Sequence, residues 1–246
     1  MISSEDTPKA RIRLGVLQAG RVPDEMADQH ADYDQLFVDL LGANAFDYRH
    51  WAVLDGKFPS STADADAWLI TGSRFGTYED HDWIPPLEKF IREVFAADQP
   101  MVGICFGHQI IAQAMGGRVE KFSDGWSVGR VEYNLDKSVF GTGSSSTSDQ
   151  TALLAFHQDQ VVQAPESSIT VGSTDFCQHA ALLYGNRALT LQPHPEFYSD
   201  FIDGLLVARR AILPPAIVDN AAETLALPIV RESIANTIRK FLKRDL

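Results

Sequence analysis

The chain has 246 residues, 45% of them hydrophobic and 22% charged, with a net charge of −12, so it is long enough to bury a sizeable core and too apolar to stay disordered. The acidic balance, with a pI near 4.9, and the lack of any basic run argue against nucleic acid or an anionic membrane as a partner. Two cysteines, Cys105 and Cys177, are too few for a disulfide framework and have no zinc-type spacing, so neither metal nor cofactor is expected, and a reducing cytoplasm suits a free thiol.

Residues 1–10 read as a flexible polar leader, and residues 11–246 as a single domain. A first strand spans Ile12 to Gln18 and turns at Ala19-Gly20. Tyr33, Leu36, Phe37, Leu40 and Leu41 recur at helical spacing and stop at Gly42, a C-cap. Phe46 to Leu54 can form a second strand and Ala67 to Ile70 a third, which breaks at Thr71-Gly72-Ser73. Ile84, Leu87, Phe90, Ile91, Val94 and Phe95 predict an amphipathic helix with Pro85 and Pro86 in its first turn. Pro100 then resets the chain for an apolar strand ending at Cys105, and a helix follows at once.

This alternation predicts an α/β fold, a doubly wound, mostly parallel sheet with helices on both faces. From Arg118 onward, short strand candidates at 119–122, 128–133, 153–156, 169–172 and 180–184 suggest a small antiparallel extension. The run Gly141 to Ser148 reads as an exposed loop. Arg187 to Gln192 is the last core strand, and a C-terminal helical region fills about 200–246, with helices at 201–212 and 229–242 separated by a break at Pro214-Pro215.

The chemistry centres on Cys105. A strand, a cysteine between Ile104 and Phe106 with Gly103 and Gly107 flanking, and a helix form the turn that presents a nucleophile. The helix N-terminus favours a thiolate. Such a nucleophile needs a base and a group to orient the base. His194 and Glu196, at the end of the last core strand and separated by Pro195, project to the same side of an extended backbone and supply both. The amides of Phe106 and of Gly72, at the carboxyl end of the third strand, form a candidate oxyanion hole. Cys177 lies in a turn without a base and reads as inert, and His157 reads as structural.

Gly103-Ile104-Cys105-Phe106-Gly107-His108-Gln109, followed by Ala112 and Gly116-Gly117, with Gln192-Pro193-His194-Pro195-Glu196 downstream, resembles the class I (triad-type) glutamine amidotransferase family, particularly its stand-alone members. Thr71-Gly72-Ser73 stands at the family's oxyanion turn, and Phe156 to Val161 resembles a segment the family carries between nucleophile and histidine. The resemblance spans roughly Leu14 to Phe197. It implies Cys105 as nucleophile, His194 as base, Glu196 as its orienter, and a glutamine substrate held by Gly72, Phe106, Gln109 and groups near Gln158. Two departures bear on the pocket: Thr71-Gly72 followed by Ser73 replaces the usual glycine pair and proline, and Gln158 stands where glycine is frequent.

The expectation is an enzyme that hydrolyses a γ-glutamyl amide through a γ-glutamyl thioester on Cys105. Glutamine with a separate synthetase or acceptor subunit is one form of it; a γ-glutamyl peptide hydrolase acting alone is another. An idle amidotransferase-like module that regulates or scaffolds a partner is the alternative from another class, motivated by acidic charge and by Ile229, Ile234, Ile238 and Phe241 on the last helix.

Overall fold

The computed structural model describes residues 11–141 and 150–246; the expected leader and nearly all of the expected 141–148 loop lie outside them. In chain order the elements are β1 (Arg13–Gln18), α1 (Tyr33–Leu41), β2 (Asp47–Ala52), β3 (Ala67–Ile70), α2 (Ile84–Ala96), β4 (Met101–Ile104), α3 (Phe106–Ala114), β5 (Arg118–Lys121) and β6 (Ser127–Leu135). They continue with α4 (Lys137–Phe140), β7 (Thr151–His157), β8 (Asp159–Gln163), β9 (Ile169–Ser173), β10 (Ala181–Leu183), β11 (Ala188–Leu191), α5 (Ser199–Ala208), α6 (Pro215–Thr224) and α7 (Glu232–Leu242).

Nine strands share one sheet in the order β2-β1-β3-β4-β11-β10-β9-β6-β7, and β5 pairs with β8 in a second, two-stranded sheet. The first five are mutually parallel. The remaining four run antiparallel to their neighbours. Strand alternation divides the core into two layers. Leu14, Val16, Leu69, Val102, Ile104 and Leu191 face α1 and α7, whereas Leu17, Trp68, Ile70 and Met101 face α2 and α3. A doubly wound, mostly parallel sheet with an antiparallel extension is therefore the fold.

Local signals explain most boundaries. Asp32 caps α1 through its side chain, and Gly42 ends the helix at φ 89°. Prolines sit in the first turn of α2, where a missing N–H costs nothing. Several elements differ from expectation: the short α4 is an addition, α5 ends at Ala208, and α7 starts at Glu232 rather than Ile229. Pro214-Pro215 is not only a break: Pro215 starts α6, because a proline at the first helical position is pre-set for helical φ. Strand β8 is an addition to the expected set, since Asp159-Gln160-Val161-Val162-Gln163 carries only a short apolar centre and forms through pairing with β5.

The last helix closes over the sheet. Ile234, Ile238 and Phe241 are buried beside α1 and the strands, and Ile229 packs on the cluster formed by α5 and α6. Those apolar positions thus complete the protein's own core. No described helix is long and apolar enough to cross a membrane.

Candidate active site

Parallel pairing brings three strand ends together. Strand β4 lies between β3 and β11, with Gly103 opposite Ile70 and Ile104 opposite Leu191. The chain leaving β3 is Thr71-Gly72, the chain leaving β4 is Cys105, and the chain leaving β11 leads to His194. The Cys105 N–H donates to the Leu191 carbonyl at 2.8 Å, which ties the turn after β4 to β11.

Cys105 adopts φ 52° and ψ −104° at the N-cap of α3. A side chain in that region is strained and persists only where the surroundings fix it. The flanking glycines show what fixes it. A Cβ on Gly107 would stand 2.3 Å from the Ile70 carbonyl oxygen, and one on Gly103 would stand 2.4 Å from that of Gly107. The helix can approach the sheet only because neither residue has a side chain, and this closeness forces the sharp bend at the thiol. Cys105 is 5% exposed at the edge of a cavity of about 340 Å³.

His194 reaches the same place from the other side. Its backbone N–H donates to the Leu154 carbonyl at 2.8 Å in an isolated antiparallel bridge. Its Nδ1 lies 2.6 Å from Glu196 Oε1, and both residues are buried. Burial by itself would lower the imidazole pKa, but the Glu196 carboxylate and the hydrogen-bonded Cys105 side chain outweigh it and raise the value to about 10. The ring stacks face to face on Phe197 with centroids 4.0 Å apart, and Phe197 stacks on Phe201 of α5. A cationic imidazole is suited to such a face. Gly72 closes the group: a Cβ there would meet His194 Cε1 at 3.0 Å and the Cys105 Cβ at 3.8 Å.

The other expected residues divide. Ser73, Gln109 and Gln158 all line the cavity. Gln109 Nε2 donates to the Asp159 carbonyl at 2.8 Å and to Gln192 Oε1 at 3.0 Å, so its amide is oriented by β8 and the end of β11. Ser73 Oγ accepts the Phe75 N–H, and Gln158 Nε2 donates to the Phe122 carbonyl at 3.2 Å. Phe106 is fully buried with its N–H in the first turn of α3, where no intrahelical acceptor exists. His157 also lines the cavity; burial first, and then His194, lower its pKa to about 3, so it is neutral. Trp126 both lines the cavity and packs edge-on against Phe156. Cys177 does not line the cavity; it is 2% exposed, and burial raises its thiol to about 12.

Two contributions escaped the sequence. Thr71 is fully buried, and its hydroxyl accepts the Ala19 N–H and donates to the Gly72 carbonyl, each at 3.0 Å. The residue that replaces a glycine therefore pins the turn holding Gly72. Arg231 donates from Nε to the Pro195 carbonyl at 2.9 Å and from Nη2 to the Glu196 carbonyl at 3.1 Å, while its guanidinium lies 3.6 Å from the Tyr198 ring centre. It clamps the turn that carries His194 and Glu196. No local sequence signal links Arg231 to that turn, because the two are 35 residues apart for Glu196.

The class-I glutamine amidotransferase family matches residues 55–212. Among curated proteins, γ-glutamyl peptidase 5 of Arabidopsis thaliana is 27% identical over 203 residues, covering 80% of this chain and 81% of that one. A glutamine-hydrolysing GMP synthase component of Halobacterium salinarum is 30% identical over 175 residues, covering 70% of this chain and 87% of its own. Among solved structures, a glutamine amidotransferase from Thermotoga maritima superimposes with a TM-score of 0.72 at 17% identity, covering 96% of this chain and 99% of that chain, which shows a shared fold. The strand order, the strained cysteine turn and the family match agree: the chain belongs to the class-I glutamine amidotransferase family and is an enzyme of the amidotransferase and γ-glutamyl hydrolase type.

Proposed function

We propose that the protein hydrolyses a γ-glutamyl amide through a thioester on Cys105, with His194 as base and acid and Glu196 as its orienter. One observation carries this reading: three strand ends bring a strained cysteine, a carboxylate-paired imidazole and a bare glycine to one cavity. His194, whose pKa the Glu196 carboxylate and the hydrogen-bonded Cys105 side chain raise against burial, takes the thiol proton as Sγ attacks. Sγ adds to the γ-carbonyl carbon, and the oxyanion is met by the amides of Gly72 and Phe106. The C–N bond then breaks as His194 gives its proton to the leaving nitrogen. Water attacks the thioester, His194 takes its proton, and glutamate leaves with Cys105 restored.

In this reading Ser73, Gln109 and Gln158, which line the cavity, surround the α-amino and α-carboxylate groups of the glutamyl unit. The leaving group is ammonia for glutamine and an amino acid or peptide for a γ-glutamyl peptide. Both kinds of relative occur: γ-glutamyl peptidases, and components of a glutamine-hydrolysing synthase. If the substrate is glutamine, a separate synthetase or acceptor subunit consumes the ammonia. The idle-module alternative loses one motive, because the apolar stripe of α7 is already buried in the core.

The test uses the isolated protein and its Cys105→Ala variant against glutamine and a γ-glutamyl dipeptide, with glutamate release as readout. Wild type is expected to release glutamate and Cys105→Ala is not. Equal rates in the two proteins would defeat the proposal. Turnover of the dipeptide without any partner identifies a free-standing hydrolase, and silence towards both until a partner is added identifies a glutaminase subunit.

A further inference from the structure

The proton that His194 returns must go to the leaving nitrogen, so the leaving group lies on the wall next to that imidazole. Around the Phe197 stack, Tyr33 and Leu205 share its apolar cluster and also line the cavity, as do Arg209 and Ile212, which follow Leu205 through backbone hydrogen bonds. Tyr33 sits 6.0 Å from Phe197 between ring centres; burial first, then Cys105, Glu196 and Asp32, hold its phenol above the ordinary tyrosine range, and Arg209 alone among its charged neighbours opposes them. Arg209 caps the C-terminal end of α5, which brings it to the cavity.

The lysine and the other arginine on the cavity have acidic neighbours: Lys121 acts on Asp159, and Arg74 on Glu79 while lying over Phe75. Arg209 differs. Among the described residues its guanidinium has neither a hydrogen bond nor a carboxylate, and the Tyr33 hydroxyl likewise has no hydrogen-bond partner. Its neighbours on the wall, Leu205 and Ile212, are apolar. A guanidinium without a carboxylate partner, lining the cavity with a phenol and with the apolar Leu205 and Ile212, is chemistry for a carboxylate attached to an organic body. Ammonia, which has neither, would make no use of it.

Resting on the hydrolase reading above, we propose that Arg209 and Tyr33 form a subsite for the carboxylate of the leaving group, so that the substrate class is γ-glutamyl peptides with a free C-terminal carboxylate. Leu205 and Ile212 contact the leaving side chain, and Arg209 binds its terminus. A guanidinium at a helix C-terminus also suits the helix dipole, so the test must separate recognition from a structural role.

Two measurements do so. The first compares kcat/KM for a γ-glutamyl dipeptide and its C-terminal amide in wild type, Arg209→Met and Arg209→Lys. Wild type is expected to favour the free carboxylate by about ten- to a hundredfold, the range of a charge-assisted hydrogen bond. Arg209→Met should bring the ratio close to one through KM, and Arg209→Lys should restore part of it. A wild-type ratio near one, or a ratio unmoved in Arg209→Met, overturns the subsite. The second measurement needs no turnover: calorimetric binding of the dipeptide and of its amide to Cys105→Ala protein, with and without Arg209→Met. Carboxylate-selective binding that depends on Arg209 sustains the subsite even if hydrolysis fails, whereas normal hydrolysis with no such selectivity sinks the subsite and leaves the hydrolase reading standing.

Discussion

Replacing Glu196 by glutamine keeps the shape of the pair and removes its charge. His194 is buried, and burial opposes a charged ring; what overcomes it is first the Glu196 carboxylate and then the Cys105 side chain. The balance of these influences favours the protonated ring. Without the carboxylate, burial becomes the dominant influence and the ring reverts towards neutral, a poorer partner for the thiol. The expected loss in kcat/KM is about 10²- to 10⁴-fold, the range for a misoriented or mis-charged general base. A second readout is chemical rather than catalytic: iodoacetamide should alkylate Cys105 more slowly at neutral pH in Glu196→Gln than in wild type. Mass spectrometry after timed quenching measures it. Unchanged alkylation together with near-wild-type turnover would refute the ion-pair reasoning.

Three further outcomes follow from neighbouring geometry. Thr71→Val removes the hydroxyl that accepts the Ala19 N–H and donates to the Gly72 carbonyl; kcat should fall about tenfold with KM little changed, stability should drop by about 1–3 kcal/mol for the unpaired buried N–H, and Thr71→Ser should restore both, a rescue whose failure would remove Thr71 from the oxyanion argument. Gly107→Ala sets two effects against each other, a helix-propensity gain of about 1 kcal/mol and a clash of the new Cβ 2.3 Å from the Ile70 carbonyl oxygen. Backbone does not yield cheaply, so the urea midpoint should fall by the equivalent of about 1–3 kcal/mol, and a rise would show that α3 can move. His108 and His157 are held at about 3, in each case by burial first and then by neighbouring histidines. As pH drops below about 6.5 the unfolded chain takes up protons that the folded protein refuses, so stability decreases by about 1.4 kcal/mol per pH unit for each histidine. Urea unfolding at pH 7, 6 and 5 should show that decline and a shallower one in His108→Gln; identical slopes would contradict it.

The candidate catalytic residues were legible in the chain because each stands beside a local signal. Cys105 lies where an apolar strand pattern meets a helical one between glycines, and His194 and Glu196 share a proline-stiffened extended stretch, so their proximity follows from two-residue spacing alone. Strand and helix alternation likewise announced the doubly wound sheet up to Cys105. The short strands after Arg118 were visible singly, but their order was not, because pairing is a non-local choice that a run of four or five residues does not encode. Strand β8 shows the extreme of this, taking its conformation from β5 rather than from its own pattern.

Cysteine, histidine and glutamate were therefore set by sequence, and their meeting was set by topology: β11, the last strand in the chain, inserts beside β4, the fourth, and turns remote residues into neighbours. The same long-range placement decides the supporting groups. Thr71 holds its turn through the Ala19 N–H on an adjacent strand end, Arg231 reaches back to clamp the His194 turn, and Arg209 arrives at the cavity only because α5 packs through Phe201 against Phe197. A nucleophile and its base carry short-range signatures because their chemistry demands particular backbone turns. The groups that position them need only a distance, and distance between remote residues exists only once the core has closed.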